Sequence, residues 1–466
     1  MKTYQDFLFF RDGGAGVEGF ILEAIAEHKI SSAYRTAVEA EAYYKNLNPT
    51  IAKYQKLLYT VSGKAVPDNF SANYKLASNV YFRFVTQTVQ YLLGYGAVFD
   101  DDNVKNRLGG DEFDRQLQAA AVESLNGGVS FGFFNYDHLN VFSLTEFVPL
   151  YDEESGALCA GIRFWQMDED KPLRATLYEL DGYTEYIQKQ RGSGLEILSK
   201  KRSYIQKVVS SKIDGTAIYD GENYPSFPII PLYSPRRQSS IIGFKRKIDC
   251  HDLIESGYAN DVDDASLIYW TISNAGGMDD IDLAKFIEHM KTVRAAVVED
   301  EGAKAEAHTV DVPCESREAI LKRLEDEMYR DFMVLNLDTI SSGQTTATAI
   351  KAAYEPMNLF SNMFESEILV FVSKILSLIS LEGHFQLERD RIVNELEQAQ
   401  TVQTQIETYL ALKGTFDDDT IIKLCADALE LGEEETERII KAVTAEESER
   451  FGGRAANGIA EEITEG

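Results

Sequence analysis

The chain has 466 residues, 44% of them hydrophobic, 11% aromatic and 26% charged, a composition that can bury several cores and is neither collagenous nor disordered throughout. Its 46 lysines and arginines face 76 aspartates and glutamates, a formal charge of −30, which excludes tight wrapping of nucleic-acid phosphates. The four cysteines, Cys159, Cys250, Cys314 and Cys425, are scattered and write neither a CxxC metal site nor a disulfide framework, so a reducing compartment is expected.

The first residues, Met1-Lys2-Thr3-Tyr4-Gln5-Asp6, lack a basic region followed by an apolar stretch, and no signal peptide is expected. The most apolar segment, Ile368 to Leu381, is broken by Ser373, Lys374, Ser377 and Ser380 and falls short of the roughly 20 residues of a bilayer span. No membrane partner is expected.

Helical spacing appears over residues 17–58, in Ile21 with Ile25, Tyr34 with Val38 and Tyr43 with Leu47. It returns over residues 76–95 through Leu76, Val80, Phe84, Val89 and Leu93, with Gly94 and Gly96 as C-terminal caps, and again from Phe113 to Leu125. From Gly127 to Pro231 the pattern alternates, as in Val129-Ser130-Phe131-Gly132-Phe133, and predicts antiparallel sheet. Pro225, Pro228, Pro231 and Pro235 predict an extended connection and a domain boundary.

A long amphipathic helix is predicted from about Ser239 to Ile272, its stripe formed by Ile241, Phe244, Ile248, Ile254, Tyr258, Val262 and Ala265. Asp249, Asp252, Asp263 and Asp264 occupy its remaining surface, with Glu255 nearer the stripe. At about 50 Å such a helix must protrude or pack on copies of itself. Residues 273–313 predict a compact insert: a helix around Ile281 to Met290, then a hairpin of Val293–Val298 with His308–Val312. A second helix is predicted from Glu315 to about Phe332, after Pro313.

Leu335 to Thr346 is polar and contains glycine, which predicts a mobile loop. A long helix, Ala347 to Leu381 with a kink at Pro356, follows it, then a strand near His384 to Leu387. Three further helices are predicted, Asp390–Leu412, Asp418–Leu431 and Glu433–Glu449, and a disordered tail from Gly452.

No phosphate loop, dinucleotide fingerprint, HExxH or nucleophile elbow is present, so an enzyme is not expected and neither is a cofactor. Six scattered histidines show no ligand spacing, and no metal site is expected. The aspartate clusters Asp261, Asp263, Asp264 and Asp417, Asp418, Asp419 leave one alternative, a metal-dependent nuclease. Their more ordinary reading is a solvated helix face or helix N-terminus. A helical scaffold or adaptor is the other alternative, although the long helices lack a sustained heptad. Arg236-Arg237 and Lys245-Arg246-Lys247 form the one basic cluster where phosphates could be held.

Three segments, in order, resemble the siphophage-type family of tailed-bacteriophage portal proteins. Tyr43-Tyr44-Lys45-Asn46, Tyr54, Gly63, Asn73-Tyr74-Lys75-Leu76 and Tyr91-Leu92-Leu93-Gly94 are similar to that family's YY-x-N … N-x-KL … YL-x-G run. Ile230-Pro231-Leu232-Tyr233-Ser234-Pro235, then Ser239, Lys247-Ile248-Asp249 and Ala259-Asn260-Asp261, resemble its PLY-x-P and following helix. Ser342-Gly343-Gln344-Thr345 before Ala347-Thr348-Ala349-Ile350-Lys351 resembles its segment before a long helix. His251 stands where the family often has tyrosine, and Ala349 where it often has glutamate. Together these motifs cover most of residues 40–380.

The resemblance implies an α+β, mainly helical portal fold of wing, stem, clip and crown, assembled as a ring of about twelve subunits with a central tunnel. It implies a wing over residues 1–235, stem helices over 236–272 and 314–334, a clip over 273–313, a tunnel loop over 335–346, a kinked wing helix and strand over 347–390, and crown helices over 391–451, before the tail 452–466. On that basis Ser341, Ser342, Gly343, Gln344 and Thr345 are expected to face DNA. Asp249, Asp252, Glu255, Asp263 and Asp264 are the candidates for the stem's tunnel wall, while the basic cluster by itself offers Lys245, Arg246 and Lys247 as phosphate contacts, against the plainer reading of a solvated helix start. The implied partners are double-stranded DNA in transit, the terminase large subunit, a head-completion or adaptor protein, and the major capsid and scaffolding proteins. The implied place is the portal vertex of a virion, after assembly in the host cytoplasm.

Overall fold

A computed structural model describes residues 2–14, 16–59, 63–68, 73–211, 217–265, 269–273, 304–308, 314–336, 347–389, 395–412, 415–429, 431–432 and 435–443. The chain forms two compact units, Met1–Asn336 with Pro356–Arg389, and Leu337–Glu355 with Asp390–Gly466.

Helices α1 (Tyr4–Asp12), α2 (Val17–Ile30), α3 (Ser32–Tyr44) and α4 (Pro49–Lys53) open the first unit. The helical stretch expected over 17–58 is divided by its polar residues. Ser31 caps α3 by accepting from the Tyr34 amide at 3.2 Å. Asn48 caps α4 by accepting from Thr50 and Ile51, with Pro49 in the first turn where its missing N–H costs nothing. The short hairpin β1 (Leu57–Tyr59) with β2 (Ala65–Pro67) follows. Next come α5 (Val80–Leu93), β3 (Ala97–Phe99), α6 (Asp102–Leu108) and α7 (Asp111–Gly127). Gly128 ends α7 in the left-handed region at φ 86°, and a Cβ there would stand 2.8 Å from the Gln238 Cα.

The alternating block folds as expected into antiparallel strands. β4 (Val129–Asn135) is central in a three-stranded sheet between β13 (Ile229–Tyr233) and β5 (His138–Ser143). A five-stranded sheet runs β10 (Glu196–Arg202), β9 (Gly182–Gln188), β8 (Leu173–Glu179), β7 (Leu158–Trp165) and β6 (Phe147–Tyr151), and β11 (Ile205–Ser211) pairs with β12 (Ala217–Glu222). The extended connection expected at the prolines includes one strand, β13. Ile229 to Tyr233 is strand, with Pro231 opposite Phe131, and the compact unit continues through Pro235 without a break. Pro231 is tolerated because β13 is an edge strand, whose outer side needs no N–H donor.

One core joins α3, α5 and α7 to β4 and β5 through residues such as Phe84, Leu117, Phe131 and Phe371. Gly132 lets Phe371 approach β4, since a Cβ there would stand 2.4 Å from the ring. A second core places Phe7, Phe20, Ile21 and Ile25 against Val148, Leu150, Ile162 and Leu177 of the five-stranded sheet.

The long acidic helix is shorter than expected. α8 spans Lys245–Ala265, 21 residues or about 32 Å, and residues 240–244 are turn. Tyr269–Ser273, expected as its last turn, is instead strand β14, paired with β15 (Lys304–His308). The β-favouring run Tyr269-Trp270-Thr271-Ile272 accounts for the change. His308 therefore pairs with Tyr269. The helix expected at Ile281–Met290 and the strand at Val293–Val298 lie outside the described residues, as do the tail and Ser341–Thr345.

α9 (Cys314–Phe332) matches its expected bounds. α10 (Ala347–Leu378) keeps its helical assignment through Pro356, where the boundary between the two units falls. β16 (Phe385–Leu387) pairs with β3. The second unit contains α11 (Glu395–Ala411), α12 (Asp418–Ala428) and helical residues 435–443.

Candidate functional site along the acidic helix

Ile248, Asp252, Ser256 and Asn260 recur every four residues along α8 and are all buried, with Asp252 at 0% exposure. Three of these four are polar. Opposite them runs the extended segment 73–79, which forms no sheet. The Tyr74 amide donates to Asn260 Oδ1 at 2.6 Å, and Asn260 Nδ2 donates back to the Tyr74 carbonyl at 3.4 Å. Ser256 Oγ accepts from the Leu76 amide at 2.9 Å and donates to the Leu76 carbonyl at 3.3 Å. The Ser78 amide donates to Asp252 Oδ1 at 3.1 Å.

The two spacings match. Four helical residues advance about 6 Å, close to the roughly 6.6 Å of two extended residues, so every second backbone unit of the segment meets one side chain. Side chains of α8 thus do for residues 74–78 what a neighbouring strand would do.

Asp252 also accepts from Asn48 Nδ2 at 2.8 Å. Its assignment to a tunnel wall is therefore corrected: the carboxylate is sealed beneath residues 48 and 78 and meets no solvent. Asp249 accepts from the Tyr43 hydroxyl, from Thr50 Oγ1 at 3.1 Å and from Lys245 Nζ at 3.2 Å. Burial, followed by that bond to Asp249, pushes the Tyr43 phenol above its ordinary value. Glu255 keeps a side chain 40% exposed, and Asp263 is exposed. Asp264 is described only as helical backbone.

The expected apolar stripe holds only at its start. Ile241, Phe244 and Ile248 are buried, whereas Val262 is exposed. The faces beyond the ladder meet α9 in antiparallel order. Lys247 Nζ lies 2.6 Å from Asp331 and 3.1 Å from Glu327, the Tyr258 hydroxyl donates to Glu318 at 3.3 Å, and Arg317 pairs with Asp261. An aromatic cluster of Phe244, Phe332, Tyr329 and Phe84 closes one end.

The basic cluster is mostly neutralised. Lys245 contacts Glu39 and Asp249, each at 3.2 Å, and the Asp331 hydrogen bond raises the Lys247 ammonium above its usual value. Arg237 lies 4.6 Å over the Tyr233 ring. Arg246 is exposed. Of the three expected phosphate contacts, it alone forms no ion pair among the described residues.

His251, Asp252 and Glu255 are the one group of potential metal ligands gathered among the described residues. His251 Nδ1 lies 3.2 Å from Asp252 and 3.8 Å from Glu255. The Asp252 bond, with Glu255 and with Glu325 of α9, holds the imidazole above its ordinary value. This geometry describes an ion pair, with Asp252 already committed to Ser78 and Asn48. Asp261 is taken by Arg317. Asp417 caps α12, accepting from the Thr420 amide at 3.2 Å and its hydroxyl at 2.7 Å. Neither aspartate cluster converges on a cation position among the described residues.

Among the described residues no helix is long and apolar enough to cross a membrane. Residues 25–439 match the family described as phage portal protein, SPP1 Gp6-like. The portal protein of Clostridium phage phiCD119 is 24% identical over 370 residues, which cover 73% of this chain and 78% of that one. Among solved structures, a chain of the native gene transfer agent virion is similar at 12% identity with a TM-score of 0.44, over 76% of this chain and 91% of that one. A chain from the neck of the native particle computed with C12 symmetry is similar at 12% identity and a TM-score of 0.41, over 74% and 89%.

Proposed function

The chain belongs to the phage portal protein family, and on that premise we propose that about twelve copies close into a ring around a central tunnel at one capsid vertex. Double-stranded DNA enters through this tunnel during packaging and leaves through it during ejection. The observation that carries the reading is the family match over residues 25–439. The net charge of −30 supports it physically, because an acidic lining repels phosphates and lets DNA slide without adhering.

In this reading α8 and α9 are the stem, residues 273–313 the clip, the first 235 residues with 347–390 the wing, and the helices after 390 the crown. Asp249, Glu255, Asp263 and Asp264 are the remaining candidates for the tunnel wall. Ser341, Ser342, Gly343, Gln344 and Thr345 form the tunnel loop, brushing phosphates with small polar groups. The terminase large subunit docks at the clip, and a head-completion or adaptor protein replaces it. Capsid and scaffolding proteins surround the wing, during assembly in the host cytoplasm and then in the virion. The chain itself makes and breaks no bond and holds no cofactor.

Negative-stain electron microscopy of the purified protein tests this. Closed rings with a hole of roughly 20–40 Å, wide enough for a duplex, are expected, whereas filaments or a persistent dimer favour a scaffold or adaptor. Gly343→Pro is expected to lower DNA packaging with rings intact. Normal packaging by that variant removes the loop assignment.

A further inference from the structure

Strand β10 departs from the chemistry of the rest of the chain. It ends the five-stranded sheet and is bonded to β9 on one side alone, so its other side presents N–H and C=O groups without a strand partner. The opposite edge, β6, is buried in the core through Phe147, Val148 and Leu150. Of the seven residues of β10 only Ser199 is half-buried. Ile197 is 52% exposed and Leu198 49%.

Charge singles out the same strand. Between residues 189 and 202 five basic residues stand against one acidic residue, Glu196, in a chain whose net charge is −30. Lys189 is paired with Glu196 at 2.6 Å, and Lys201 with Glu179 at 2.9 Å and with Asp181. Arg191, Lys200 and Arg202 are exposed and form no ion pair among the described residues.

We propose that β10 is a docking edge for an extended acidic segment of another protein, which adds to the sheet as a sixth strand. Three features of the edge select this occupant. Carboxylates on the added strand answer Arg191, Lys200 and Arg202. Apolar side chains on it cover Ile197 and Leu198. Its backbone supplies both donors and acceptors to the edge, whereas a nucleic-acid phosphate accepts hydrogen bonds but cannot donate to the strand's carbonyls. A second copy of β10 is disfavoured, because Arg191, Lys200 and Arg202 would give both edges the same net positive charge. The cations that keep this edge from pairing with itself are the groups that admit an acidic strand.

The test uses the full-length protein and a fluorescent synthetic peptide of alternating glutamate and valine, followed by anisotropy. Binding is expected at low salt, weakened about tenfold by R191E/K200E/R202E and by raising salt to about 0.5 M. It is also expected to be weakened by I197S/L198S at either salt, with slowed amide exchange in β10 when peptide is bound. Sedimentation of both variants is expected to match the parent. Three results overturn the proposal. Failure of the peptide to bind removes it. A DNA duplex that binds as tightly as the peptide and ignores I197S/L198S makes the patch a polyanion site. A changed assembly state in either variant makes the edge a contact between copies of this chain.

Discussion

Asn260 holds Tyr74 by both of its backbone groups, accepting from the amide at 2.6 Å and donating to the carbonyl at 3.4 Å across 186 residues of sequence. Removing the carboxamide leaves the Tyr74 amide and carbonyl without their partner in a partly buried seam, at a cost of about 1 kcal/mol. N260A is expected to lower the melting temperature and to speed amide exchange at Tyr74, while S256A does the same at Leu76. Exchange rates at both amides equal to those of the parent would show that the ladder does not hold the segment.

Buried His28 and half-buried His251 give opposite pH signatures. Burial lowers the His28 pKa below 6.5, and one ring nitrogen lies 2.7 Å from the Leu144 carbonyl. The stability this neutral ring supplies is complete above 6.5 and is lost as pH falls below that value, because the unfolded state takes up the proton first. The Asp252 bond raises the His251 pKa above 6.5, so its contribution is complete below 6.5 and is lost as pH rises through the folded value. H28Q is therefore expected to flatten the acid side of a plot of melting temperature against pH, and H251Q the neutral side. Identical pH profiles for the two variants contradict this pair of assignments.

Glu123 on α7 has its carboxyl pushed up to about 7 by burial and then by Glu41 and Glu146. A carboxyl raised in the folded state favours folding while protonated, and that advantage fades as pH rises through about 7. E123Q is expected to raise the melting temperature at a pH of about 8 by roughly 2 °C, with little effect at a pH of about 5. An equal gain at both pH values would mean that charge is not the cause.

Gly132 and Phe371 cannot both be enlarged. An alanine Cβ would meet the ring at 2.4 Å, so G132A is expected to destabilise by about 1–3 kcal/mol, and F371L added to it to recover part of the loss. Denaturant melts of the single and double variants decide the point. A double variant no more stable than G132A would place the strain elsewhere.

Local periodicity carried much of this fold. The alternation after Gly127 became ten antiparallel strands, and the helix expected from Glu315 to about Phe332 became α9 with its ends nearly as read. The order of the motifs also identified the family, because it depends on residue identity alone. The polar face of α8 was illegible for a physical reason. A hydrophobic pattern marks what leaves water by transfer, while Asp252, Ser256 and Asn260 leave water only because an extended segment about 180 residues away offers them backbone groups. The same holds for Tyr269–Ser273, whose partner strand begins at Lys304, and for Pro231, whose strand is viable because it took an edge. Helix and strand periods, net charge and family were decided by the sequence itself. Which carboxylates are exposed, which helix face is buried and which cations are already paired were decided by the tertiary structure, because each depends on a partner distant in the chain.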